Sequence, residues 1–216
     1  MATILHLNAS VRSDRSLSRR LSEHFIRDWS ERRPSDKVIY RDLGREPPGF
    51  VTETWIAAVF TEPEKRTQSQ KDEIRLSDVM IDEIDQADMI VLGTPMYNYG
   101  MPAPLKAWFD QVIRIDKTFT FDLARGDYPL EPIMNGKIFV ALTSHGEFGF
   151  ADGGVRQSMN HLLPHIITCA RYLGVNETHQ IAIEYQEFGG ERHEQSVARA
   201  HEAVAPLIDR LASSIR

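Results

Sequence analysis

The chain has 216 residues, with 25 Lys+Arg against 31 Asp+Glu and 42% hydrophobic content, so it is one generous domain or at most two small ones with ample core-forming material. The formal net charge of −6 offers no excess cation for a phosphate backbone, and no apolar run approaches the roughly 20 residues of a membrane span, which argues against nucleic-acid and membrane partners. Met1 to Leu7 lacks the pattern of a secretory signal, which points to the cytoplasm, and a single cysteine, Cys169, excludes an internal disulfide framework or a Cys-clustered metal site, leaving difficult chemistry to an outside agent.

Apolar β-branched runs alternate with helical periods along the chain, the pattern of an α/β domain with a parallel sheet. Thr3 to Asn8 predicts the first strand; Leu21, Phe25 and Trp29 then recur at helical spacing from Ser18 to the polar stretch Arg32 to Ser35. Lys37 to Leu43 reads as a second strand closed by Glu46-Pro47-Pro48-Gly49. Residues 51 to 87 hold no strand but two helices, the second over Gln68 to Ile84, with a charged loop from Glu62 to Lys71 before it. Ala87 to Gly93 is too continuously apolar for a one-sided edge and predicts a central strand. Pro102 to Ile113 predicts a helix with Pro104 in its first turn, and Gly136 to Thr143 a fourth strand. Between them Asp116 to Asn135, with its alternating Thr118-Phe119-Thr120-Phe121, predicts a hairpin-like insertion suited to a lid or dimer contact. Gln157 to Tyr172 is the next expected helix, Thr178 to Ile183 the fifth strand, and Glu191 to Ile215 a closing amphipathic helix. Without repeats or a linker, residues 1–216 read as one doubly wound domain with right-handed crossovers.

In such sheets ligands sit beyond the carboxyl ends of the strands, which singles out three loops. Asn8 to Ser18 carries four serines, Arg12, Arg15 and a helix N-terminus, the ingredients of an anion cradle; the bland alternative is a surface loop in which Ser16 or Ser18 merely caps the helix. It contains neither G-x-G-x-x-G nor a Walker lysine. Thr94 to Pro102 exposes Met96, Tyr97 and Tyr99 beside Asn98 and Gly100, costly unless these residues cover something flat and apolar such as a planar cofactor; alternatively Met96 and Tyr97 plug the sheet edge. In Ser144 to Phe150 the glycines let backbone amides approach a ligand, with His145 more often a bystander than a catalyst. His161 and His165 stand at i, i+4 without the glutamate of H-E-x-x-H, so no metal site is expected, and no side chain is expected to be catalytic.

Ser10, Ser16-Leu17-Ser18, then Pro95-Met96-Tyr97-Asn98-Tyr99 with Leu105-Lys106-Ala107-Trp108, then Thr118-Phe119, the Ser144 loop and Arg171-Tyr172-Leu173-Gly174 together resemble the FMN-dependent NADH:quinone reductases, also called azoreductases. The resemblance spans nearly the whole chain and implies a flavodoxin-like fold: a five-stranded parallel sheet of order 2-1-3-4-5 with helices on both faces. It further implies a homodimer with FMN near the interface. NADH or NADPH would be the donor, quinones and azo compounds the acceptors, and the exchange ping-pong. Carried over by match, Ser10, Ser16, Leu17 and Ser18 would hold the FMN phosphate, Pro95, Met96, Tyr97, Asn98 and Tyr99 would lie along the isoalloxazine, and Ser144, His145, Gly146 and Glu147 would contact its pyrimidine edge. Phe119 and Tyr128 are candidates for walling the substrate site, from the partner subunit if the insertion crosses over. Where the family often has Ser-Arg-Gly-Gly, this chain has Ser144-His145-Gly146-Glu147; a carboxylate beside a flavin that turns anionic on reduction opposes electron uptake unless it points away. The competing class is a flavodoxin-type electron carrier serving a protein partner.

Overall fold

The continuous apolar runs become the middle of a parallel sheet because both of its faces are covered. The structure, a computed structural model, describes residues 1–215, so Arg216, the last residue of the expected domain, lies outside it. In chain order the elements are β1 (Thr3–Asn8), α1 (Leu17–Arg32), β2 (Lys37–Asp42), α2 (Glu53–Phe60), α3 (Gln68–Gln86), β3 (Met89–Pro95), α4 (Ala103–Val112), β4 (Phe119–Phe121), β5 (Leu130–Pro132), β6 (Lys137–Ser144), α5 (Leu163–Ala170), β7 (Val175–Ile183), α6 (Gly190–Glu202) and α7 (Val204–Ser214). The main sheet has the order β2-β1-β3-β6-β7, every pair parallel, which is the expected 2-1-3-4-5 topology when its own strands are counted. β4 and β5 form a separate antiparallel hairpin within the expected insertion.

All residues of β3 and β6 are buried, and successive side chains go to opposite faces. Leu5, Ile90, Leu92 and Phe139 meet Met80 and Ile84 of α3, Trp108 and Phe109 of α4 and Ile166 of α5. Ile4, Val91, Val140 and Ile183 meet Leu21, Phe25 and Trp29 of α1 and Val204, Ile208 and Leu211 of α7. Two cores, one per face, thus cover the sheet on both sides. A smaller cluster of Trp55, Ala58, Val59 and Ile74 seats α2 on α3.

Element boundaries move where a cap or a proline decides them. α1 begins at Leu17, since the Ser16 hydroxyl accepts from the Arg19 N–H at 3.3 Å. α3 takes in residues expected in the charged loop, through a capping box in which Thr67 and Gln70 accept from each other's N–H at 3.3 and 3.0 Å. The helix expected from Gln157 is α-helical only over Leu163–Ala170, with 3₁₀ turns at 157–159 and 171–173; Pro164 suits only a first turn, and the Asn160 carboxamide caps it by accepting from Leu162 and Leu163. The closing helix is broken at Ala203, because Pro206 has no N–H for the Glu202 carbonyl four residues earlier. β7 starts earlier than its apolar core, at Val175, behind a register slip at Lys137/Ile138.

Candidate functional site

Strand order reverses between β1 and β3, and the loops leaving β1, β3 and β6 converge there on one cleft of about 440 Å³. From the first loop it is lined by Ser10, Arg12, Arg15, Ser16 and Leu17. Pro95, Met96, Tyr97 and Asn98 line it from the second, and Ser144 and Gly146 from the third. The first loop presents hydroxyls, two guanidinium groups and the open end of α1. Ser16 caps only Arg19, so the amides of Leu17 and Ser18 stay without an intrahelical partner. Ser18 itself is buried under the loop, its hydroxyl 3.4 Å from that of Ser16.

The second loop is a tight turn in which Tyr97 and Gly100 exchange N–H···O bonds of 3.1 and 3.0 Å. Asn98 and Tyr99 between them both have positive φ, 46° and 65°, the left-handed pair that a type I′ turn demands and that asparagine tolerates. Tyr99 leaves the main cleft and borders a second hollow of about 290 Å³ with Met96, Asn98, Gly146, Glu147, Phe150 and Glu187.

In the third loop the Glu147 carboxylate turns aside: it pairs with Arg156 Nε at 3.0 Å and accepts from the Tyr99 hydroxyl at 3.1 Å. The hydrogen bond to Glu147 first, and the carboxylate's charge second, raise the pKa of the Tyr99 phenol above the ordinary value, and Arg156 also lies over the Phe148 ring at 4.6 Å. The departure from the family's third loop therefore brings its own counter-charge. His145 is 2% exposed and packs edge-on against Phe150 at 5.1 Å; its Nδ1 is 3.9 Å from Glu184, too long for a hydrogen bond. It lines neither hollow.

Of the remaining candidates, Phe119 packs on Tyr172 with ring centroids 5.7 Å apart and Tyr128 is 86% exposed on the hairpin; neither lines the cleft of its own chain. Sequence inspection missed Gln186 and Glu187, which line the cleft from the loop after β7. The Glu187 side chain lies where a Gly146 Cβ would come within 2.5 Å of its Oε1, so a glycine at 146 makes room for it. The available signal was position alone, since Gln186 and Glu187 follow a strand's carboxyl end. No described helix is long and apolar enough to cross a membrane.

A family model for the flavodoxin-like fold matches residues 2–207. The chain is 54% identical to FMN-dependent NADH:quinone oxidoreductase 2 of Colwellia psychrerythraea, over 98% of this chain and 100% of that one. It is 51% identical to FMN-dependent NADH:quinone oxidoreductase 2 of Idiomarina loihiensis, over 99% and 92%, and 39% identical to FMN-dependent NAD(P)H:quinone oxidoreductase 1 of Pseudomonas aeruginosa, over 96% and 98%. The crystal structure of an azoreductase from Bacillus anthracis superposes with a TM-score of 0.86 at 21% identity, covering 97% of this chain and 100% of that one, a likeness of fold. With matches of this extent and identity, the chain belongs to the flavodoxin-like family of FMN-dependent NADH:quinone oxidoreductases.

Proposed function

We propose that this protein is a cytoplasmic FMN-dependent reductase that takes electrons from NADH or NADPH and passes them in pairs to quinones and azo compounds, in a ping-pong cycle. The observation that carries it is the convergence of four loops, those after β1, β3, β6 and β7, on one cleft whose two ends differ chemically, hydroxyls and guanidinium groups at one and the Pro95 to Asn98 wall at the other. That donor set fits FMN, which carries a dianionic phosphate at one end and a flat ring at the other. About 440 Å³ lies within the range of cofactor pockets. The names of the relatives support the enzyme over an electron carrier.

When bound, FMN supplies a two-electron carrier that accepts hydride and returns it to a flat electrophile. Ser10, Ser16, Leu17 and Ser18, with Arg12 and Arg15, bind the phosphate and offset the repulsion of a chain with net charge −6. Pro95, Met96, Tyr97 and Asn98 cover the ring, with Tyr99 bordering the adjoining hollow. Ser144 and Gly146 meet its polar edge, where the Asn98 and Gly146 N–H groups, unclaimed by any described protein acceptor, are free to stabilise negative charge, while Arg156 withdraws that of Glu147. Phe121, Leu123, Tyr128, Leu130 and Ile133 expose an apolar strip on the hairpin, which supports a homodimer in which Phe119 and Tyr128 wall the partner's cleft.

The test is a visible spectrum of the FMN-reconstituted protein before and after anaerobic NADH. Bleaching without a second protein is expected; a colourless preparation after FMN addition refutes the cofactor, and a flavin that NADH leaves oxidised refutes the enzyme. Parallel double-reciprocal lines at several quinone concentrations check the exchange mechanism, and a flavin-replete monomer in sedimentation refutes the shared site.

A further inference from the structure

Within the hydroxyl-rich loop the Arg12 N–H donates to the Ser10 hydroxyl and the Ser16 N–H to the Ser13 carbonyl, each at 3.2 Å, but the Ser10 and Arg12 carbonyls are held from outside it. Its inner carbonyls converge on Arg19, a residue only 5% exposed in the first turns of α1. Arg19 Nη2 donates to the Ser10 carbonyl at 3.0 Å and Nε to the Arg12 carbonyl at 3.3 Å. The same guanidinium is held from β2, with Asp42 accepting at 2.6 and 3.0 Å and the Tyr40 hydroxyl at 3.0 Å. Paired in this way, Arg19 is charge-compensated and its donors are spent, so it has little left to offer a ligand directly.

Gly44 closes the arrangement from the opposite side. A Cβ there would stand 2.0 Å from the Ser10 carbonyl oxygen and 2.5 Å from its carbon, both backbone atoms that cannot swing aside. Ser10 is therefore clamped between a guanidinium fork and a bare Cα. All peptide bonds of the described chain are trans, and a trans peptide sets its N–H opposite its C=O. Carbonyls drawn to Arg19 turn the Val11 and Ser13 N–H groups the other way, where no described protein group accepts them. Val11 to Arg15 line a hollow of about 270 Å³ that shares Arg12 and Arg15 with the main cleft.

We propose that Arg19, with Gly44, is a positioning residue: it orients the 10–13 backbone as a phosphate-accepting array, so that discrimination of FMN from riboflavin depends on a side chain that never touches the phosphate. This rests on the FMN reading above.

The test titrates flavin-stripped protein with FMN and with riboflavin by fluorescence quenching, in the wild type, Arg19→Lys and Gly44→Ala, with circular dichroism as the folding control. Lysine keeps the charge but cannot direct donors to two carbonyls and a carboxylate together. Both variants are expected to weaken FMN binding by about tenfold or more, the equivalent of one lost charge-assisted hydrogen bond, while riboflavin binding changes by less than about twofold. Equal losses for the two flavins would make the clamp merely structural and overturn the inference. So would an unchanged FMN affinity in either folded variant. If Arg19→Lys does not fold, Gly44→Ala decides alone. A wild type that binds neither flavin refutes the FMN reading itself, a different result from a wild type that binds FMN and variants that keep the preference.

Discussion

His6, on β1 beneath the Ser10 loop, makes stability depend on pH in a way that can be isolated. Its ring is buried, with Nε2 3.0 Å from the Ser22 hydroxyl and the ring face tilted on Tyr40 at 5.1 Å. Burial first, and the nearby Arg19 charge second, lower its pKa from 6.5 to about 4, against a smaller opposing pull from Asp42. Because the folded value lies below the unfolded one, protons bind the unfolded chain preferentially between them; stability is full above about pH 6.5 and is lost as pH falls to about 4. At roughly 1.4 kcal/mol per pH unit the loss across that window is about 3 kcal/mol, a large share of a typical folding free energy. His201, whose pKa burial also lowers, tilts the background in the same direction. Asp36 and Asp42, with lowered carboxyl pKa values, add losses only at lower pH. Urea unfolding of the flavin-free protein from pH 4.5 to 7.5, compared with His6→Gln, therefore reads the His6 part as a difference in slope. Gln retains a polar group near Ser22 and cannot titrate. Parallel wild-type and variant curves over this range would refute the account.

Ser16→Ala removes the hydroxyl that caps Arg19 N–H and is expected to lower stability by about 1 kcal/mol in the flavin-free protein, with a larger fall when FMN is present; thermal melts with and without FMN measure both. Arg156→Met leaves Glu147 without its counter-charge, so the midpoint potential of bound flavin should drop by about 30 mV or more, near 1.4 kcal/mol for a two-electron couple, in a spectroelectrochemical titration. Gly93→Ala drives a methyl group to 2.5 Å from Asn8 Oδ1 and 2.6 Å from Ser22 Oγ in the middle of the sheet; about 2 kcal/mol of destabilisation is expected from denaturant unfolding.

The sequence alone determined the sheet, its central strands and three of the four loops that line the cleft, because each is written in contiguous residues. Runs such as Met89 to Leu92 and Ile138 to Leu142 have no polar face, which is possible in water only where helices cover both sides. The unusual backbone at Asn98 is local too, although Tyr99 rather than Gly100 takes the second positive φ, and the closing helix, expected unbroken from Glu191 to Ile215, is interrupted at Ala203 ahead of Pro206. Residue types also marked the hydroxyl and guanidinium groups that Ser10 to Ser18 bring to the cleft.

Tertiary structure alone decided how the site is held and charged. That Arg19 reaches Asp42 across to the neighbouring strand, that Gly44 touches Ser10, that Glu147 is neutralised by Arg156 and that Glu187 fills the space left by Gly146 are contacts between elements, set by how α1, β2 and the loops after β6 and β7 pack. Phe119 and Tyr128 show the same limit from the other side: their chemistry suits a binding wall, but the hairpin carries them away from their own chain's cleft. Local pattern specifies which backbone forms and which face is apolar; the environment of a charge or a carbonyl is set by neighbours distant in sequence, and in a parallel sheet even adjacent strands are separated by a whole crossover.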